Sequence, residues 1–185
     1  MFSFLVDIIY RGTQSSPGKR IFMTTVAMLS FLSFVGALFW AAMFLDSILG
    51  LPEAVSYPLN TYISLPLLTA GYLFVIWSNL FFLKTRGTPI PFNPPPRLVV
   101  TGPYAYSRNA MLSGAFLMLF GLGILLRSVT MTCVVFPLFV YIMCVELKFI
   151  EEPELEKRLG REYSDYRKRV PMFVPKTFTS GKGTS

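Results

Sequence analysis

Apolar residues fall in four blocks, 21–45, 63–83, 110–126 and 129–150, separated by stretches rich in charge, proline or glycine. Each block is close to the roughly 20 residues a helix needs to cross a bilayer, and each is predicted to form a membrane helix. The basic residues sort by segment. Arg11, Lys19 and Arg20 precede the first block, Lys84, Arg86, Arg97 and Arg108 lie between the second and third, and the rest, from Lys148 on, follow the fourth. Asp46 and Glu53 stand between the first two blocks, and Arg127 alone marks the last turn. Four crossings place nearly all positive charge on one side, as in cytoplasmic loops. Both termini and the connection between the second and third blocks are therefore expected in the cytoplasm.

Smaller features fill in the frame. Residues 1–10, MFSFLVDIIY, lack a basic n-region and a small-residue cleavage site, so they read as an interfacial helix and not a signal peptide. GTQSSPG (12–18) reads as a turn. Ser33, Gly36, Ala37, Ala41 and Ala42 are predicted to let the first helix pack closely on a neighbour. Asn79 makes an interhelical hydrogen bond or faces a cavity. Gly114 and Gly121 share a helix face expected to pack on the fourth helix across the Arg127-Ser128 hairpin tip. Leu155, Leu159, Tyr163 and Tyr166 recur at the helical period, which predicts an amphipathic helix over 154–168 lying under the membrane face. The apolar VPMFVP (170–175) is expected to dock back at the membrane, and 176–185 to be a flexible tail. The fold class is all-α, a polytopic membrane helix bundle in a single domain, with 1–84 as the N-terminal part and 85–175 as the core.

Composition narrows the function. The chain has 185 residues, 53% hydrophobic and 15% charged, against about 25% charged in soluble domains. The net charge of +7 lies in the segments flanking spans, which excludes nucleic acid as the partner and points to the bilayer. There is no histidine, so a His-based zinc site and a His general base are both excluded, and no metal site is expected. Cys133 and Cys144 fall on one helix, about 16 Å apart along its axis, too far for a disulfide.

The candidate chemistry sits in PFNPPPRLVVTGPYAYSRNAML (91–112) and in EEPELEKRLGREYSDYRKRV (151–170). A plain connector could be about 4–6 residues long; this one is far longer, rigid and aromatic. Tyr104, Tyr106, Arg108 and Asn109 would meet Glu151, Glu152, Tyr163 and Tyr166 at one cytoplasmic mouth. Aromatic faces can stack on an adenine, and carboxylates can hold an ammonium or ribose hydroxyls. The same residues also suit a juxtamembrane belt that anchors the protein. Glu146 lies about a turn and a half inside the fourth span, where a carboxylate needs a partner or a polar cavity.

These two motifs, in this order across a helical hairpin, resemble the isoprenylcysteine carboxyl methyltransferase family and its phospholipid methyltransferase relatives, over about residues 85–175. The resemblance implies S-adenosylmethionine as cofactor and a lipophilic acceptor arriving from the membrane. By position it assigns cofactor binding to Gly102, Tyr104, Arg108, Asn109, Glu151 and Glu152, with Arg108 and Glu152 as the catalytic candidates. The chain departs from the family at Ala110, where Pro is usual, at Leu112, where Tyr is usual, and at Met172, where relatives often have an Arg that can hold an acceptor's carboxylate. The departures keep open a second reading, a non-catalytic subunit of a membrane complex with protein partners on the N-terminal spans. A third reading is a sterol-reductase-like enzyme using NADPH.

Overall fold

The computed structural model describes residues 2–84 and 97–173. These form helices α1 (Phe2–Thr13), α2 (Pro17–Leu49), α3 (Leu59–Lys84), α4 (Ala110–Leu125), α5 (Phe136–Glu146), α6 (Glu152–Leu159) and α7 (Arg161–Arg169). A π-helical turn, Met131–Val135, precedes α5, and a second, Leu147–Glu151, joins α5 to α6. Met131–Leu159 is therefore one continuous helix of 29 residues. No strand occurs among the described residues. The predicted tail, residues 85–96 and the last two residues of VPMFVP lie outside the described residues.

The chain is a helical membrane bundle. Three helices, Pro17–Leu49, Leu59–Phe81 and Met131–Leu159, are long and apolar enough to cross a membrane. The third apolar block gives a shorter helix, α4, whose 16 residues reach about 24 Å, less than the roughly 30 Å hydrocarbon thickness. The four expected spans thus become three of spanning length and one short helix between the same two ends. The predicted turn over 12–18 is tighter than expected. Pro17 opens α2, where its missing N–H is no loss, and Gly50, at φ +58, ends it with its N–H on the Asp46 carbonyl.

α4 runs antiparallel along α3 at backbone contact. A Cβ on Gly71 would lie 2.7 Å from the Gly114 carbonyl oxygen, and one on Gly114 would lie 2.8 Å from that of Gly71. Farther along, Gly121 faces Leu67 and Leu68. This corrects the expectation that Gly114 and Gly121 pack on the fourth helix. Only Gly123 faces that way, toward Thr132 and Met131. The closer packing is with the preceding helix, because the long connection after α3 lets the chain return along α3 itself.

Three further expectations are corrected. On α2 only Ala42 of the small residues is buried, in a cluster with Leu119, Met131 and Phe139, and a Cβ on Gly36 would meet nothing. Asn79 bonds within its own helix, its Nδ2 donating to the Val75 carbonyl at 2.9 Å. The predicted helix over 154–168 is broken at Gly160, where φ +60 is a conformation that favours glycine. The predicted apolar face survives the break, because Leu155 and Leu159 still pack on Tyr163, Tyr166 and Val170.

Candidate functional site

The loop after α3 is fixed first by glycine. Gly102, at φ +63, lets the backbone turn directly over the Phe81 ring, where a Cβ would come within 2.3 Å. The short 3₁₀ turn Gly102–Ala105 then buries Pro103 and Tyr104. The Tyr104 phenol sits beside Ser78, and its carbonyl accepts a hydrogen bond of 2.6 Å from the Tyr166 hydroxyl of α7.

A second tie comes from the C-terminal strap, residues 171–173. The Arg108 N–H donates to the Pro171 carbonyl at 3.0 Å, and the Asn109 N–H donates to that of Met172 at 3.2 Å. The Ser107 hydroxyl adds a bond to the same Met172 carbonyl. VPMFVP was expected to dock at the membrane; its residues 171–172 are tied to this loop.

With loop, strap and helices joined, Arg108 reaches Glu152. Its Nη1 donates to Glu152 Oε1 and, at 3.4 Å, to the Tyr163 hydroxyl. The two side chains are only 10% and 8% exposed, so this is a buried ion pair. Removing one member of such a pair costs about 3–5 kcal/mol, because the other charge is left uncompensated. Arg167 supplies a second guanidinium, 3.5 Å from Glu152 Oε2 and 2.9 Å from Glu156. One polar group is left over: Arg108 Nε is buried with no hydrogen-bond partner among the described residues.

The tyrosines around the pair are pushed up from their ordinary phenol range. For Tyr104 and Tyr166 burial is the main cause. For Tyr163 burial comes first, the nearby Glu152 charge adds to it, and Arg108 offsets part. All three phenols stay protonated at neutral pH and act as donors, not bases.

Of the sequence-predicted residues, Arg108, Glu152 and Tyr163 are in direct contact, and Glu151 adjoins them at the end of the π-helical turn. Gly102, Tyr104 and Asn109 are engaged in shaping and tying the loop. Glu146 has no ion pair among the described residues. Arg167 and the strap carbonyls were missed. Arg167 lies four residues after Tyr163, a spacing that puts both on one helix face and was available as a signal. The carbonyl bonds have no side-chain signature at all.

Bundle and site together define a helical membrane protein in which a loop motif and a pair of glutamates, far apart in sequence, meet at one buried ion pair. The signature of the phospholipid methyltransferase family matches residues 59–162, more than half of the chain, and the chain belongs to that family. Among curated relatives, the nickel-cobalt-cadmium resistance protein NccN of Alcaligenes xylosoxydans xylosoxydans is 29% identical over 124 residues. The match covers 63% of this chain and 54% of the relative, so the chain spans about half the length of that protein. No solved structure matches.

Proposed function

We propose that this protein transfers a methyl group from S-adenosylmethionine to a lipophilic acceptor reached from the bilayer, with the cofactor held at the Arg108–Glu152 end. The observation that supports this most is the meeting of Arg108 with Glu152, each contributed by a separate motif within the family-matched region. The residues fit the cofactor's functional groups. The unpaired Arg108 Nε–H suits a carboxylate, and a hydrogen bond to a charged group contributes about 1.5–3 kcal/mol. Glu151, which has no ion pair among the described residues, suits an ammonium or ribose hydroxyls. Tyr163 offers a protonated hydroxyl beside Arg108.

When bound, S-adenosylmethionine supplies an electrophilic methyl group, and the electron pair of the broken carbon–sulfur bond stays on sulfur. The protein's part is positioning and exclusion of water. Glu152, engaged by Arg108 and Arg167, holds the guanidinium of Arg108 in place. Gly102 and Asn109 set the loop's path. A cytoplasmic position for this end is part of the proposal, and the basic residues near it, Lys157, Arg158 and Arg167 among them, support it by the positive-inside rule.

A second reading rests on the same pair. Arg108 and Glu152 already satisfy each other, as a purely structural pair would, and Ala110, Leu112 and Met172 depart from the family pattern. On that reading the chain is an assembly subunit. The relative's name places that protein in metal resistance. Among this chain's described residues no group of three or more His, Cys, Asp or Glu side chains is arranged to hold a metal ion.

Calorimetric titration of the purified protein with S-adenosylhomocysteine, and separately with NADPH, decides between them. Binding of S-adenosylhomocysteine that is lost in Arg108→Ala is the expected result. Binding of NADPH in its place would support a reductase-like enzyme, and binding of neither would support the assembly role.

A further inference from the structure

Next to the ion pair, on the other side of residues 107–109, lies a cavity of about 360 Å³. Five phenylalanines line it: Phe74 of α3, Phe116 and Phe120 of α4, Phe136 at the start of α5, and Phe173 of the strap. Their rings brace one another. Phe116 packs on Phe173 at 5.4 Å between centroids, and Phe120 on Phe136 at 5.0 Å. The cavity opens beside Leu117 and Tyr106, which are 37% and 52% exposed.

Among the described residues, the polar side chains in this wall are three hydroxyls and none is charged. The Ser107 hydroxyl donates to the Met172 carbonyl and accepts from the Asn109 N–H. The Ser113 hydroxyl donates to the Asn109 carbonyl. The Tyr106 hydroxyl has no hydrogen bond among the described residues and stands at the mouth. A charged group entering here would lose hydration and find no countercharge among the described residues. The size is also limiting. Pockets for small molecules run from about 300 to 1,000 Å³, and this one is near the lower end, room for one slender chain or ring and not for two acyl chains.

We infer that this cavity seats the methyl acceptor, and that the acceptor is a small, uncharged, apolar molecule with a hydroxyl, phenol or thiol as its nucleophile, not a two-chain phospholipid. Calling the occupant an acceptor rests on the methyltransferase reading above; the cavity's preference for an uncharged occupant does not. In the reaction the acceptor's lone pair forms the new bond to the methyl carbon, the carbon–sulfur bond breaks toward sulfur, and the O–H or S–H proton leaves to water at the Tyr106 mouth. The family's name points to a charged lipid headgroup; this wall gives such a group nothing to pair with.

The test is photolabelling of the full chain in nanodiscs of uncharged lipid. The probes are diazirine-bearing single-chain amphiphiles that differ only at the head, an alcohol, an amine and a carboxylate, together with a phosphatidylethanolamine carrying the diazirine in one chain. Labelled peptides are located by mass spectrometry. The alcohol should label residues of α4 around Phe116 and Phe120, or Phe173, at least about tenfold more than any charged probe, since tenfold corresponds to only about 1.4 kcal/mol. Leu117→Trp, which fills the mouth, should reduce that labelling, and Leu138→Trp on the exposed face of α5 should leave it unchanged. Equal labelling by the amine, the carboxylate or the phospholipid overturns the inference. So does labelling indifferent to Leu117→Trp, or no labelling at these peptides. Titration with S-adenosylhomocysteine on the same preparation reports on the methyltransferase reading separately.

Discussion

The two ends of the bundle are both polar, and they are built differently. At the tip end, Asp46 at the close of α2 accepts hydrogen bonds from the Ser128 hydroxyl and from the backbone N–H and hydroxyl of Thr130. Around it Ala54 bonds to the Arg127 carbonyl, Asn60 bonds to that of Leu125, and Arg127 pairs with Glu53. Each of these groups is answered by a residue of the other turn or helix end, across long stretches of sequence. At the other end the partners come from three distant segments, and a buried Arg108 Nε is left without an acceptor among the described residues. A closed network ties helices together. One with a donor to spare, beside an uncharged cavity, has room for a ligand.

The contrast can be broken most severely at the element both ends share. Gly114→Leu forces a side chain into the Gly71 backbone, which neither helix can yield. Overpacking usually costs about 1–3 kcal/mol, and contact with backbone puts this variant at or above the top of that range. Thermal unfolding in detergent should show loss of the native transition, with both ends lost together. A native-like melt would mean that α3 and α4 are not held at this distance.

Arg108 separates stability from ligand binding at the site end. Arg108→Ala should destabilise the fold by about 3–5 kcal/mol, because Glu152 stays buried, with Arg167 at 3.5 Å reducing the loss. Replacing both members by methionine should restore most of the stability without restoring binding of S-adenosylhomocysteine. If the double variant bound as well as the native protein, the pair would be structural only.

Smaller effects belong to the tip. Asp46→Ala removes one acceptor from the first turn of the helix that begins near Thr130, leaving Ser128 on the Met131 N–H, and should cost about 1–2 kcal/mol, with binding at the far end unchanged. Glu53→Gln breaks an exposed pair, its partners 44% and 48% accessible, and should cost no more than about 1 kcal/mol. A larger effect from Glu53 than from Asp46 would reverse the account of which contacts hold that end.

Much of this was legible along the chain. The four blocks and the two motifs were read from spacing alone, and Arg108 and Glu152 were expected to meet. Other details were not legible. Gly114 and Gly121 read as one face of a helix, but a face does not name its partner, and it proved to be α3. Gly160 looked like one weak residue inside an amphipathic run until its positive φ showed a break. Gly102 stood out only by its place in the motif, and its close approach to the Phe81 ring showed only in the fold. The strap's hold on residues 107–109 runs through backbone carbonyls, which every residue has and no pattern marks.

By itself the sequence determined the solvent and the periodicity. Runs of apolar residues near bilayer length must be helices in lipid, because only a helix satisfies its own backbone there, and the motif residues must sit where those helices end. Tertiary structure decided which helix lies against which, that a buried ion pair and an aromatic cavity share the loop at 107–109, and that the cavity has no charge among its described walls. Those facts depend on long-range closure, in which small residues set the distance of approach and backbone bonds fix the loop, and neither leaves a local trace in the order of residues.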